Sequence, residues 1–164
     1  MKKLLLALLV WMFALPALAD HDYDTRRLLT YKSWFVERVH SRKSGSTWCN
    51  AGTENSHGKR FLVTGYNNGT LKIFVMDDSW NLVKESVQFT VRIGRKDWNV
   101  YGQTEGVGIF ADLDNADKSA RFLHDLARGN SVRFYNGAGT NFASFSLSGS
   151  RRAIDAFFSC WKSI

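Results

Sequence analysis

The chain of 164 residues has one proline and two cysteines, and after its first twenty residues no apolar run long enough to cross a membrane. Each shortage excludes something. Pro16 is the only proline, so residues 20–164 hold no Pro-rich linker. No G-x-S-x-G marks a serine nucleophile, and Ser148-Gly149-Ser150 lies where Ser150 is expected to cap a helix. His40, His57 and His124 lack metal-ligand spacing, and His21 falls in the polar start. The run ADLDNAD carries Asp112, Asp114 and Asp117, but a calcium loop would need Gly and Glu where Asp117 and Leu123 stand. Gly102, Gly106 and Gly108 are not followed by the Lys-Ser/Thr of a phosphate loop. A glycosidase needs two carboxylates flanking one cleft. Asp77, Asp78, Asp97 and Glu105 are available, and nothing in their spacing brings them together. The expectation is a protein that is not an enzyme and needs no cofactor or metal.

The first residues, MKKLLLALLVWMFALPALAD, have the three parts of an export signal. Lys2 and Lys3 are the basic start, Leu4 to Leu15 the apolar run, and Ala17-Leu18-Ala19 the small-x-small site. The run is too short for about 30 Å of hydrocarbon. The expectation is a signal peptide over 1–19, cut between Ala19 and Asp20, and a single exported domain over 20–164 with no membrane span, periplasmic or secreted. The formal charge is +7, and loss of Lys2 and Lys3 takes two from it, leaving +5. Arg26-Arg27, Arg42-Lys43, Lys59-Arg60, Arg95-Lys96 and Arg151-Arg152 are basic pairs. They suit an acidic protein or another anionic envelope component, or else a solvated surface. Export argues against nucleic acid.

Export also places Cys49 and Cys160 in an oxidising compartment. One intramolecular bridge would close a loop of about 110 residues and stabilise the fold by up to about 4–5 kcal/mol in the chain-entropy account. Two free thiols and an intermolecular bridge are the other readings.

The start DHDYDTRRLL is polar and reads as a flexible lead-in, near 20–29. YKSWFVERVH then reads as a strand, and TWCNA as another with Thr47, Cys49 and Ala51 on one side and Trp48 on the other. RFLVTGY and LKIFVMD flank Asn68-Gly69, the pair preferred in a type I′ hairpin. ESVQFTVRI alternates, with Val87, Phe89, Val91 and Ile93 on one face. WNVYGQ, GVGIFAD, NSVRFYN and NFASFSLS are further strands. A helix is expected over DNADKSARFLHDLARG, capped by Asp114, with Ala116, Ala120, Leu123 and Ala127 sharing a face. A second, RRAIDAFFSCWK, follows Ser150. About eight strands and two helices, one C-terminal, predict a mostly β fold, an antiparallel sandwich or strongly curved sheet; the alternative is an α+β layered sheet.

Two clusters could meet a partner. Trp98 and Tyr101 beside Arg95 and Lys96 form an aromatic-basic group, unless the tryptophan packs on the sheet. Arg151 and Arg152 occupy the first turn of the last helix, where the macrodipole disfavours positive charge, unless a carboxylate pairs them.

The order of landmarks, Trp48-Cys49 early and FSLSGSRRAIDAFFSC late, resembles small exported proteobacterial proteins of the invasion-associated locus B type. The resemblance implies an early cysteine paired with one in the closing helix, a periplasmic location, and a binding or envelope-support role. Proteins of that type have no established catalytic residues, so none carries over. The expected function is a non-catalytic binding module recognising a protein partner; the alternative is an inhibitor or immunity-type protein that blocks a cell-wall-acting enzyme.

Overall fold

In the computed structural model, residues 22–113 and 115–164 are described; the predicted signal peptide, His21 and the expected cap Asp114 lie outside them. The strands are β1 (Tyr23–Tyr31), β2 (Trp34–Ser41), β3 (Thr47–Glu54), β4 (Arg60–Tyr66), β5 (Leu71–Met76), β6 (Leu82–Ile93), β7 (Lys96–Gly106), β8 (Gly108–Leu113), β9 (Ser131–Tyr135) and β10 (Asn141–Ser146), with helices α1 (Ala116–Arg128) and α2 (Ser150–Trp161). All ten strands join one open sheet in the order β1-β2-β3-β4-β5-β8-β7-β6-β9-β10, and every pairing is antiparallel. Of the predicted architectures, this is the curved sheet.

The curl shows in which strands touch. Phe61 of β4 lies 5.2 Å from Phe134 of β9 and 5.8 Å from Phe145 of β10, centroid to centroid. Trp34 of β2 donates its Nε1–H to the Ser146 carbonyl of β10 at 3.3 Å. Alternation sends Val63, Ile73, Val75, Val91 and Val100 to the inner face, where they are buried with these rings. Helix α2 lies inside the curl against β1, β2 and β3, burying Ala153, Ile154, Phe157 and Cys160. Helix α1 packs beside α2 and β8.

The start read as flexible, near 20–29, instead supplies most of strand β1. Nearly all of its residues are exposed on both faces, so no apolar alternation announces it. The turn that separates β1 from β2 sits inside the run predicted as one strand, with Lys32 at a positive φ of 54°.

Three hairpins share one turn. In 55–59, 66–70 and 136–140 the first residue's N–H reaches the fifth residue's carbonyl, and the fourth residue, a glycine with φ of 76–82°, donates back to the first. This is a three-residue loop ending in a left-handed glycine, not the type I′ pair expected at Asn68-Gly69. Asn68 instead accepts from Thr70 N–H through its side chain. The 77–81 loop is different: it carries the chain from the end of β5 past β8 and β7 to β6. It is fastened by Asp77 N–H to the Val107 carbonyl (3.0 Å), by a Lys59–Asp77 ion pair, and by Trp80 against Phe142.

The helix caps differ from expectation. Asn115 caps α1, accepting from the N–H groups of Asp117 and Lys118. Its buried face is Ser119, Phe122, Leu123, Asp125 and Leu126, whereas Ala116 and Ala120 are exposed. Ser150 does not cap α2. Gly149 holds the N-cap position, and Ser150 Oγ donates to the Leu126 carbonyl at 2.7 Å, tying the two helices together.

Candidate functional site

Cys49 and Cys160 are bridged, with Cα atoms 6.1 Å apart. Cys49 faces inward on β3, as its alternation with Trp48 predicts. Beside it on β4, Gly65 lies under the Trp161 ring; a Cβ there would stand 2.7 Å from the indole. Trp161 Nε1 donates to the Tyr66 carbonyl at 2.8 Å. Bridge, indole and hydrogen bond together fix the end of α2 to β3 and β4.

The predicted aromatic-basic cluster does not exist as one surface. Trp98 and Tyr101 are three residues apart on β7 and so point to opposite faces. Trp98 turns inward, edge-on to Phe122 of α1 at 5.4 Å, and its Nε1 has no hydrogen-bond partner among the described residues. Lys96, on the same side, pairs with the buried Asp125 at 2.7 Å. Arg95 is exposed in the β6–β7 turn. Tyr101 points outward and is 76% exposed, more than any other large apolar or aromatic side chain described.

Arg151 and Arg152 are both exposed, and neither takes the expected carboxylate partner among the described residues. Arg152 sits over the Tyr31 ring, 4.8 Å from its centroid, a cation–π contact that ties the helix start to the end of β1. Lys32 Nζ bonds Ser148 Oγ close by.

Tyr101 borders a cleft of about 650 Å³ on the outer face, lined by Lys72, Ser86, Gln88, Gln103, Phe110 and Asp112. Its origin is a short pairing. β7 meets β8 at three positions only, Gln103–Phe110, Thr104–Ile109 and Glu105–Gly108, and beyond them the strands part. Gly102 permits the close approach of β7 and β8 at this pairing, since a Cβ there would lie 2.4 Å from the Phe110 carbonyl oxygen.

Two cross-strand rows on the outer face run into this cleft. One is apolar: Phe35 and Leu62 close over Gly52, and Phe74 meets Phe110 at 5.9 Å. The other is polar. Asn50 donates to Glu37 and accepts from Thr64, and the next register pair, Lys72 and Asp112, forms an ion pair at 3.2 Å. Burial, and then the Asp112 charge, push the Tyr66 hydroxyl above its ordinary pKa at this end. The carboxyls of Asp24, Asp77 and Asp97 are held below the usual range by hydrogen bonds from Arg42, from Lys59 and Ser79, and from Arg92. Each is a structural ion pair outside the cleft lining.

Asp112 is the one carboxylate lining the cleft among the described residues. Two rings, two amides, a hydroxyl and an ion pair offer stacking and two-way hydrogen bonding, a set suited to binding. Sequence reading finds Tyr101 but misses Gln88, Gln103, Lys72 and Asp112, because polar residues on four strands carry no motif. Among the described residues no group of three or more His, Cys, Asp or Glu could hold a metal ion, and no helix is long and apolar enough to cross a membrane. Compared with known protein families, curated proteins and solved structures, the chain has no match.

Proposed function

We propose that this chain is a non-catalytic binding module of the cell envelope, periplasmic or secreted after cleavage between Ala19 and Asp20, that recognises a protein partner through the outer cleft. The observation that carries this reading is Tyr101, 76% exposed at the lip of an open cleft whose other groups include the Phe110 ring, two amides, a hydroxyl and an ion pair. Tyrosine is enriched among the few interface residues whose truncation costs about 2 kcal/mol or more. The bridged cysteines and the resemblance of the closing segment to the invasion-associated locus B type support the envelope setting.

The test is capture from an envelope extract by the protein purified from the periplasm, followed by affinity measurement on the partner recovered. Tyr101→Ala is expected to weaken that affinity by about 30-fold, the equivalent of about 2 kcal/mol. An unchanged affinity removes the cleft from the interface. The inhibitor reading draws on the same side chain, because a protruding tyrosine can enter an enzyme's cleft. It requires that the protein slow a cell-wall hydrolase in a turbidity assay and that Tyr101→Ala relieve the inhibition.

A further inference from the structure

The cleft is not the only surface left open. Strand β1 pairs with β2 on one side, and among the described residues no strand pairs with its other side. Asp22 O accepts from Arg42 N–H, so its main chain faces β2. By the alternation of an antiparallel ladder, Tyr23, Thr25 and Arg27 turn their N–H and C=O groups outward. A bulge between Arg27 and Leu29 ends this regular stretch.

The charge left over around the edge is mostly positive. Arg26 and Arg38 stand directly opposite each other across β1 and β2, both exposed and with no carboxylate partner among the described residues. Like charges in that position repel, so the pair costs stability in the free protein. Lys32 and Arg152 both lie over the Tyr31 ring at the far end of β1. Of the hairpin's carboxylates, Asp24 is held by Arg42 and Glu37 by Arg27, which leaves Asp22 at the strand's start.

We infer that the free edge of β1 docks an extended acidic segment of a protein partner, which adds as an eleventh strand along residues 23–27. Main-chain bonds at Tyr23, Thr25 and Arg27 supply the affinity, and Arg26 and Arg38 select negative side chains. A second copy of this chain is a poor occupant, because it brings the same excess of positive charge to the edge. The surface is separate from the cleft, and it stands if the cleft reading fails.

The experiment uses the disulfide-bonded protein and two probes: a seven-residue peptide alternating glutamate with threonine, and its lysine counterpart. Amide hydrogen exchange is read residue by residue at low salt. The acidic peptide is expected to slow exchange at Tyr23, Thr25 and Arg27 at least fivefold, and the lysine peptide to leave it unchanged. Arg26→Glu with Arg38→Glu should abolish the protection. Thr25→Pro removes an outward N–H that the fold does not use, and should abolish it too without moving the melting temperature by more than a few degrees. Tyr101→Ala should have no effect on it. The inference is overturned if millimolar acidic peptide protects none of these amides, protects the cleft instead, acts no differently from the lysine peptide, or still binds the Thr25→Pro protein.

Discussion

The two edges of the sheet end in different ways. On β10 the carbonyls of Ser144 and Ser146 accept from Asn55 and Trp34, donors supplied by the other half of the curl. On β1 no such donor arrives among the described residues, and the edge presents arginines and a bulge. Curvature therefore disposes of one edge with neutral hydrogen bonds. The other is guarded by charge, and charge repels one kind of strand while attracting another.

The disulfide tests this contrast most severely. Helix α2 backs β1, β2 and β3, so removing the bridge with Cys49→Ala and Cys160→Ala should loosen the open side first. The expected loss is about 2–5 kcal/mol in urea denaturation. Amide exchange should rise more in β1–β3 than in β9–β10; an even rise would mean that the bridge serves both edges alike.

Smaller effects should follow from breaking the seal itself. Trp34→Phe keeps an aromatic body but leaves the Ser146 carbonyl without its donor, a loss of about 1–3 kcal/mol. Asn55→Ala removes the Ser144 donor and also the acceptor for the His57 and Lys59 N–H groups, and should cost about 0.5–1.5 kcal/mol per bond lost, fraying β10 and the 55–59 turn without touching β1. If Trp34→Phe is as stable as the wild type by the same denaturation, the seal is packing alone.

The smallest effect is in pH. Asp24, on β1, has its carboxyl pKa lowered in the fold, as do Asp77 and Asp97. Their contributions are complete above the ordinary carboxylate pKa of about 3.9 and are lost as pH falls through the lower folded values. Acid should therefore release the start of β1, where Asp24 pairs with Arg42, while the Trp34 and Asn55 bonds have no group that titrates there. Protection factors at about pH 6 and pH 3, with the intrinsic pH dependence of exchange divided out, would show it, and an equal loss of protection in β1 and β10 would contradict it.

Much of the sheet was readable in advance because its strands alternate. Val87 to Ile93 and Thr47 to Ala51 face as their spacing predicts. β1 was not readable, because an edge strand exposed on both faces has no apolar period. The misplaced cluster had a signal: residues three apart on a strand cannot share a face, which separates Trp98 from Tyr101. Ser150 had none, since its hydroxyl answers to the Leu126 carbonyl, 24 residues back in the chain. The cleft is of the same kind. Its residues meet only because β8, β7 and β6 lie in reversed order between β5 and β9.

That reversal gives the 77–81 loop a mechanical task. From the end of β5 it must cross two strand ends to reach β6, about 14 Å at ordinary strand spacing, with a reach of about 20 Å if fully drawn out. Part of that slack is taken up where Asp77 is fastened to Val107 and Trp80 is pressed on Phe142. The loop is thus a short tether across two strand ends, and its fastenings to Val107, between β7 and β8, and to Phe142 of β10, rather than its length, are what hold those ends together.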